Sequence, residues 1–161
     1  MSYPEPRYHG ESGEVSGLLR TESQGPELVY PSGVKVRYLA TDASTGGEFG
    51  LYRWDMGAER GGPDPHFHKT FSESFFVLDG TVSLFDGVRW VDGSPGDFLF
   101  VPEGGIHGFR NESGPASMLL LFTPGAPREG YFETLAEVAA GREMTGEEKA
   151  EFFLRHDTYW V

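Results

Sequence analysis

The chain has 161 residues, a length that fits one domain with enough material to bury a core. Its 25 acidic side chains against 13 basic ones leave a formal net charge of −12, a surface that repels phosphate backbones and anionic headgroups, so neither nucleic acid nor a membrane is expected as a partner. With no cysteine, disulfides, thiolate zinc sites, iron–sulfur clusters and a thiol nucleophile are excluded, and any metal must be held by nitrogen and oxygen.

Residues 1–30 are rich in Pro, Gly, Ser and Glu and read as an N-terminal arm that needs the main body for order. They lack the basic start and apolar run of a signal peptide. The longest apolar stretch, MLLLF at 118–122, is far shorter than a membrane span, and a cytoplasmic location is expected.

Over 31–125 the texture changes to short apolar or alternating runs punctuated by Gly and Pro: VKVRYLA, FGLYRWDM, SFFVLDG, TVSLFDG, GDFLFVP, HGFRN and SMLLLFTP. Runs of this length, rich in Phe, Val and Tyr, predict an all-β body, a sandwich or barrel rather than alternating βα units. The LDG, FDG and VDG segments read as turns between strands. After TPGAPREG the period becomes helical. Tyr131, Leu135 and Val138 share one face with Gly141 just beyond, and Thr145 and Glu148 have capping-box spacing ahead of Phe152 and Phe153. Residues 126–161 are therefore expected to be a helical tail packed on the β body.

The stretch HFHKTFSE, residues 66–73, carries two of the five histidines one residue apart. In an extended chain, side chains at i and i+2 share a face, so His66 and His68 present their imidazoles together. Glu73, five residues beyond His68, falls on the opposite face of an uninterrupted strand. It joins the histidines only if the chain turns within Lys69, Thr70 and Phe71. His107 follows the turn residues Pro102, Gly104 and Gly105, and alternates with Phe109 as a strand resumes. Three imidazoles and one carboxylate make a donor set that suits a divalent ion of Fe, Mn, Co, Ni, Cu or Zn. An HxH pair alone is equally an ordinary polar turn, because two donors do not define a metal site.

Both segments together are more specific. His66, His68, Glu73 and Gly80 stand in the pattern HxHx4Ex6G, and Gly96, Pro102, Gly104, His107 and Asn111 in the pattern Gx5PxGx2Hx3N, separated by Thr81 to Pro95. These resemble the two signature motifs of the cupin superfamily, specifically its small single-barrel members of the quercetin 2,3-dioxygenase type. One departure is visible: the family's opening glycine falls at Arg60, while the glycines here are Gly61 and Gly62. The resemblance implies an antiparallel β-barrel or jelly roll. It also implies one divalent transition metal per chain, held inside the barrel by His66, His68, Glu73 and His107. Asn111 is expected to satisfy a backbone turn rather than touch the metal.

Four protein donors leave coordination positions open, which is what distinguishes catalytic from structural sites. The resemblance accordingly implies an oxidoreductase, a dioxygenase that binds a small enolic or phenolic, flavonol-like substrate and consumes O2, with Glu73 as general base. Two alternatives are a metal-dependent isomerase, cyclase or decarboxylase without O2, and a barrel that binds a small ligand without turnover. Tyr52, Trp54, Phe75, Phe98, Phe100 and Phe109 are candidates for an aromatic substrate wall, although each residue of this kind also serves as plain barrel core. Small cupins tend to associate through sheet edges or exchanged N-terminal segments, and a homodimer is expected.

Overall fold

The computed structural model describes residues 2–161. Residues 2–21 contain no helix or strand and are exposed almost throughout. Strands then follow in quick succession: β1 (Leu28–Val29), β2 (Lys35–Ala40), β3 (Gly50–Met56), β4 (His66–Phe67), β5 (Ser72–Asp79), β6 (Val82–Phe85), β7 (Trp90–Gly93), β8 (Phe98–Val101), β9 (Gly108–Arg110), β10 (Ala116–Thr123) and β11 (Tyr159–Trp160). A four-residue helix, α1 (Asp42–Thr45), lies between β2 and β3. Two longer helices, α2 (Glu129–Ala139) and α3 (Gly146–Arg155), precede β11. No helix among the described residues is long and apolar enough to cross a membrane.

The strands form a six-stranded sheet in the order β1-β2-β3-β10-β5-β8, a three-stranded sheet β7-β6-β9, and the pair β11-β4, every ladder antiparallel. This is the all-β architecture expected from the short alternating runs. β10 occupies the centre of the large sheet, and its alternation decides which face is the core: Ala116, Met118, Leu120 and Phe122 are buried, while the residues between them are half-buried. Tyr52, Trp54 and Met56 of β3 do the same beside it. The two sheets meet through aromatic side chains, with Phe109 of β9 lying 6.0 Å from Trp54 and 5.8 Å from Phe75 between ring centroids.

Two segments depart from the sequence reading. VDG was expected to be a turn, but Trp90 to Gly93 form β7, paired with β6 from Val82↔Gly93 to Phe85↔Trp90. The ladder partner outweighs the local turn preference of Asp-Gly. At Gly93 a Cβ would press on the Val77 side chain at 3.2 Å. The second is β11, at the end of the chain, which pairs with the histidine strand β4.

The helices sit where the periodicity put them, and Thr145 and Glu148 form the expected capping box. On α2 the buried residues are Tyr131, Phe132 and Ala136, with Leu135 half-buried against the core beside them, so the inner face is centred about one position from Tyr131, Leu135 and Val138. Phe132 packs edge-on against Tyr52 and Trp54 at 5.3 and 5.1 Å, and Tyr131 stacks on Phe152 of α3 at 5.3 Å. The tail is thereby joined to both the core and the site described below.

Two motif residues have structural duties. Gly80 has φ +70°, and a Cβ there would stand 2.4 Å from the Pro115 carbonyl, so only glycine fits the turn after β5. Asn111 is fully buried. Its Oδ1 accepts from Gly61 N–H at 3.0 Å, and its amide donates to the carbonyls of Gly57, Glu59 and Gly114 at 2.8 to 3.0 Å. It organises the loop before β4 and lies outside the His/Glu cluster.

Candidate metal centre

His66, His68, Glu73 and His107 come together. One donor atom from each lies within 4.8 Å of all the others, and all four residues are buried. Backbone pairing brings their segments into register. His66 and His107 exchange both N–H to O=C bonds at 2.9 Å, and Gly104 N–H donates to the His68 carbonyl at 2.7 Å. The turn that Glu73 requires is present at Lys69 and Thr70. It is pinned from 87 to 88 residues away by Asp157, whose Oδ2 accepts from Lys69 N–H, Thr70 N–H and the Thr70 hydroxyl at 2.7 to 2.9 Å. Asp157 itself has φ +51°, a conformation that Asp tolerates better than most residues.

Each imidazole is oriented by a carbonyl. Nδ1 of His66 donates to Asp64 O at 2.8 Å, Nδ1 of His68 to Asp157 O at 2.6 Å, and Nδ1 of His107 to Gly105 O at 2.9 Å. A carbonyl can only accept, so every Nδ1 carries the hydrogen and every Nε2 of a neutral ring is a bare lone pair. Glu73 Oε2 lies 3.2 Å from Nε2 of His68 and 2.9 Å from Nε2 of His107. Acceptor thus faces acceptor, and a proton or a cation is needed between them. This is the arrangement in which metal-binding histidines are held from behind by a fixed N–H donor contact.

The charges agree. Burial penalises ionised Glu73, but the charge and hydrogen bonds of His107 and His68 outweigh it and hold its carboxyl well below the usual range. Burial, with His107 next in weight, pushes His66 down to about 4, so that imidazole is neutral near pH 7. For His107 burial is outweighed by the charge of Glu73, and the ring is pushed up. One buried carboxylate therefore sits beside a His107 ring that its charge favours in the cationic form. A divalent cation meets the same electrostatic demand from all four donors at once.

The cluster opens on a cavity of about 350 Å³ with walls that are mostly apolar. His66 and Glu73 lie on its wall, and so do Trp54 and Phe109 among the six aromatic candidates. Tyr52 and Phe75 are wholly buried in the core behind it, Tyr52 against Phe122 and Phe132, and Phe75 beside His107 and Phe109. Phe98 and Phe100 are 61% and 56% exposed. They alternate with the inward-facing Leu99 and Val101 on the edge strand β8, and strand parity keeps them out of the cavity. The sequence reading missed Arg128, which is on the cavity wall, and Trp160, whose indole lies 5.2 Å from the His66 ring. Both come from the tail, and neither belongs to a motif or a periodic pattern.

Two packed antiparallel sheets with a buried three-histidine, one-glutamate cluster at the mouth of an apolar cavity define a cupin-type domain. Residues 52–122 match the cupin domain family, and the antiparallel sheets built around them have the jelly-roll-like fold of small cupins. It is 29% identical over 145 residues to quercetin 2,3-dioxygenase of Bacillus subtilis (strain 168), a match that takes in 90% of this chain and 39% of that protein's length. Among solved structures it is similar to KdgF from Halomonas sp., with TM-score 0.57 and 17% identity over 67% of this chain and 93% of the other. It is also similar to the polyketide cyclase RemF from Streptomyces resistomycificus, with TM-score 0.54 and 23% identity over 66% and 80%. The two structures share the fold.

Proposed function

We propose that the protein is a metal-dependent cupin enzyme, a dioxygenase acting on a small enolic or phenolic substrate. His66, His68, Glu73 and His107 would hold one divalent transition metal. The observation that carries this reading is the set of three lone pairs and one carboxylate converging beside an apolar cavity that His66 and Glu73 help to line. The similarity to quercetin 2,3-dioxygenase supports the reaction class. When bound, the metal supplies Lewis acidity and, if redox-active, a route for electrons to O2.

The chain's own residues do the rest. Both side-chain contacts of Glu73 run through Oε2, which leaves Oε1 to take the proton of a substrate hydroxyl. With each Nδ1–H committed to a carbonyl, an imidazole offers only Nε2, which a bound metal would occupy, so Glu73 would be left as the base. Trp54, Phe109 and Trp160 give the cavity flat apolar walls that exclude water and pack a conjugated ring. Oxygen consumption upon adding enolic and phenolic compounds to the metal-loaded protein tests the reading. Stoichiometric uptake supports it, whereas turnover without uptake assigns the site to isomerisation, cyclisation or decarboxylation.

A homodimer belongs to the same proposal. β8 is an edge of the large sheet, and its exposed Phe98 and Phe100 present apolar surface there. Sedimentation at micromolar concentration should show two chains, and Phe100→Glu should yield a monomer. A wild-type monomer would rule this out.

A further inference from the structure

The tail brings to the cavity a cation that the proposed chemistry does not use. Arg128 is 4% exposed and lies on the cavity wall with Glu73 and His66. Its guanidinium carbon stands 3.9 Å from the Tyr131 ring centroid and 5.4 to 5.7 Å from those of Phe71, Phe122 and Phe132. Nη1 donates to the His156 carbonyl at 2.7 Å, while Nε has no hydrogen-bond partner. Among the described residues no carboxylate forms an ion pair with it.

This placement is costly in three ways. A buried guanidinium without a carboxylate forfeits hydration, and an unpartnered Nε–H forfeits a further hydrogen bond. Arg128 is also the N-cap residue of α2, the end of a helix at which positive charge is disfavoured. Aromatic faces recover part of this by cation–π attraction. Holding the tail through one carbonyl would not require a guanidinium, since a neutral donor would serve. An anionic group entering the cavity would complete the ion pair and the hydrogen bonding together, as guanidinium–carboxylate pairing does.

We propose that Arg128 recognises a carboxylate on the substrate, making the ligand class a small aromatic or otherwise conjugated acid that bears an enolic or phenolic hydroxyl. The inference takes its hydroxyl from the function proposed above, but the carboxylate half stands on Arg128 and the cavity alone. The apolar wall would take the ring, Glu73 would face the hydroxyl, and Arg128 would fix the acid group. Arg128 is thus assigned to substrate selection.

Salicylate and its neutral isostere salicylamide test this by calorimetric titration of the full chain, both metal-loaded and after chelation. Salicylate should bind about 10- to 100-fold more tightly than salicylamide, the range expected for a charged hydrogen-bonded pair, in both preparations. Arg128→Met should abolish the preference without weakening salicylamide, and Arg128→Lys should keep part of it, with circular dichroism verifying that both variants are folded. Equal affinities, no binding of either compound to the wild type, or a preference unchanged in Arg128→Met would overturn the proposal. A preference confined to the metal-loaded protein would overturn it too, because the metal would then be holding the acid. The chelated protein keeps this result separate from the catalytic reading: a protein that fails to consume O2 but discriminates the two compounds refutes only the dioxygenase assignment.

Discussion

Glu73→Gln is expected to lower turnover by about 10² to 10⁴-fold while most of the metal is retained, the loss typical of removing a general base. Glutamine keeps the shape of the side chain and so preserves the packing of a buried position on β5. It cannot accept a proton at neutral pH, which removes the one step assigned to Oε1. The three imidazoles remain aligned because their Nδ1 contacts go to the carbonyls of Asp64, Gly105 and Asp157, none of which involves Glu73. Metal content and rate must be read on the same sample at matched pH. If metal is lost to the extent seen on removing a histidine, Glu73 is chiefly a ligand. Full occupancy with unchanged turnover would remove it from the mechanism and favour Lewis-acid chemistry or a non-catalytic barrel.

Purified protein should carry close to one divalent metal per chain, and chelation should lower its thermal midpoint. A ligand that binds only the folded state, present at 100 to 1,000 times its dissociation constant, contributes about 3–4 kcal/mol. For a chain of this size that corresponds to a fall of roughly 5–15 °C. His107→Ala should abolish metal binding and also destabilise the metal-free protein by about 3–5 kcal/mol, because it leaves the buried Glu73 carboxylate without its nearer partner. Asp157→Ala should be milder. It releases the Lys69–Thr70 turn but leaves the backbone carbonyl that orients His68, and metal affinity should drop by about 10- to 100-fold, as for other supporting contacts. Elemental analysis with calorimetric metal titration checks both variants. Metal-free preparations of all three proteins with identical thermal midpoints would contradict the electrostatic account of the cluster.

The all-β class, the two tail helices and the residues of the His/Glu cluster are legible in the amino-acid sequence alone. These signals are local: alternation along a strand, a capping box spanning four residues, and spacing within two short motifs. Even Glu73 was legible in conditional form, since its parity demanded a turn at Lys69–Thr70. Tertiary structure decided everything that depends on partners distant in the chain. Trp90 to Gly93 became a strand because β6 offered a ladder, and an isolated Val-Asp-Gly carries no sign of that. Strand parity could separate Phe98 and Phe100 from Leu99 and Val101, but only the packing of β8 against β5 determined which pair faces outward. Tyr52 and Trp54 share a face of β3, yet only Trp54 reaches the cavity, because Tyr38, Phe122 and Phe132 together enclose Tyr52. Arg128, Asp157 and Trp160 left no trace in composition or period. Asp157 and Trp160 meet β4 through contacts spanning roughly 90 residues, Arg128 joins them on the cavity wall, and a helical tail folded back over the site puts all three there.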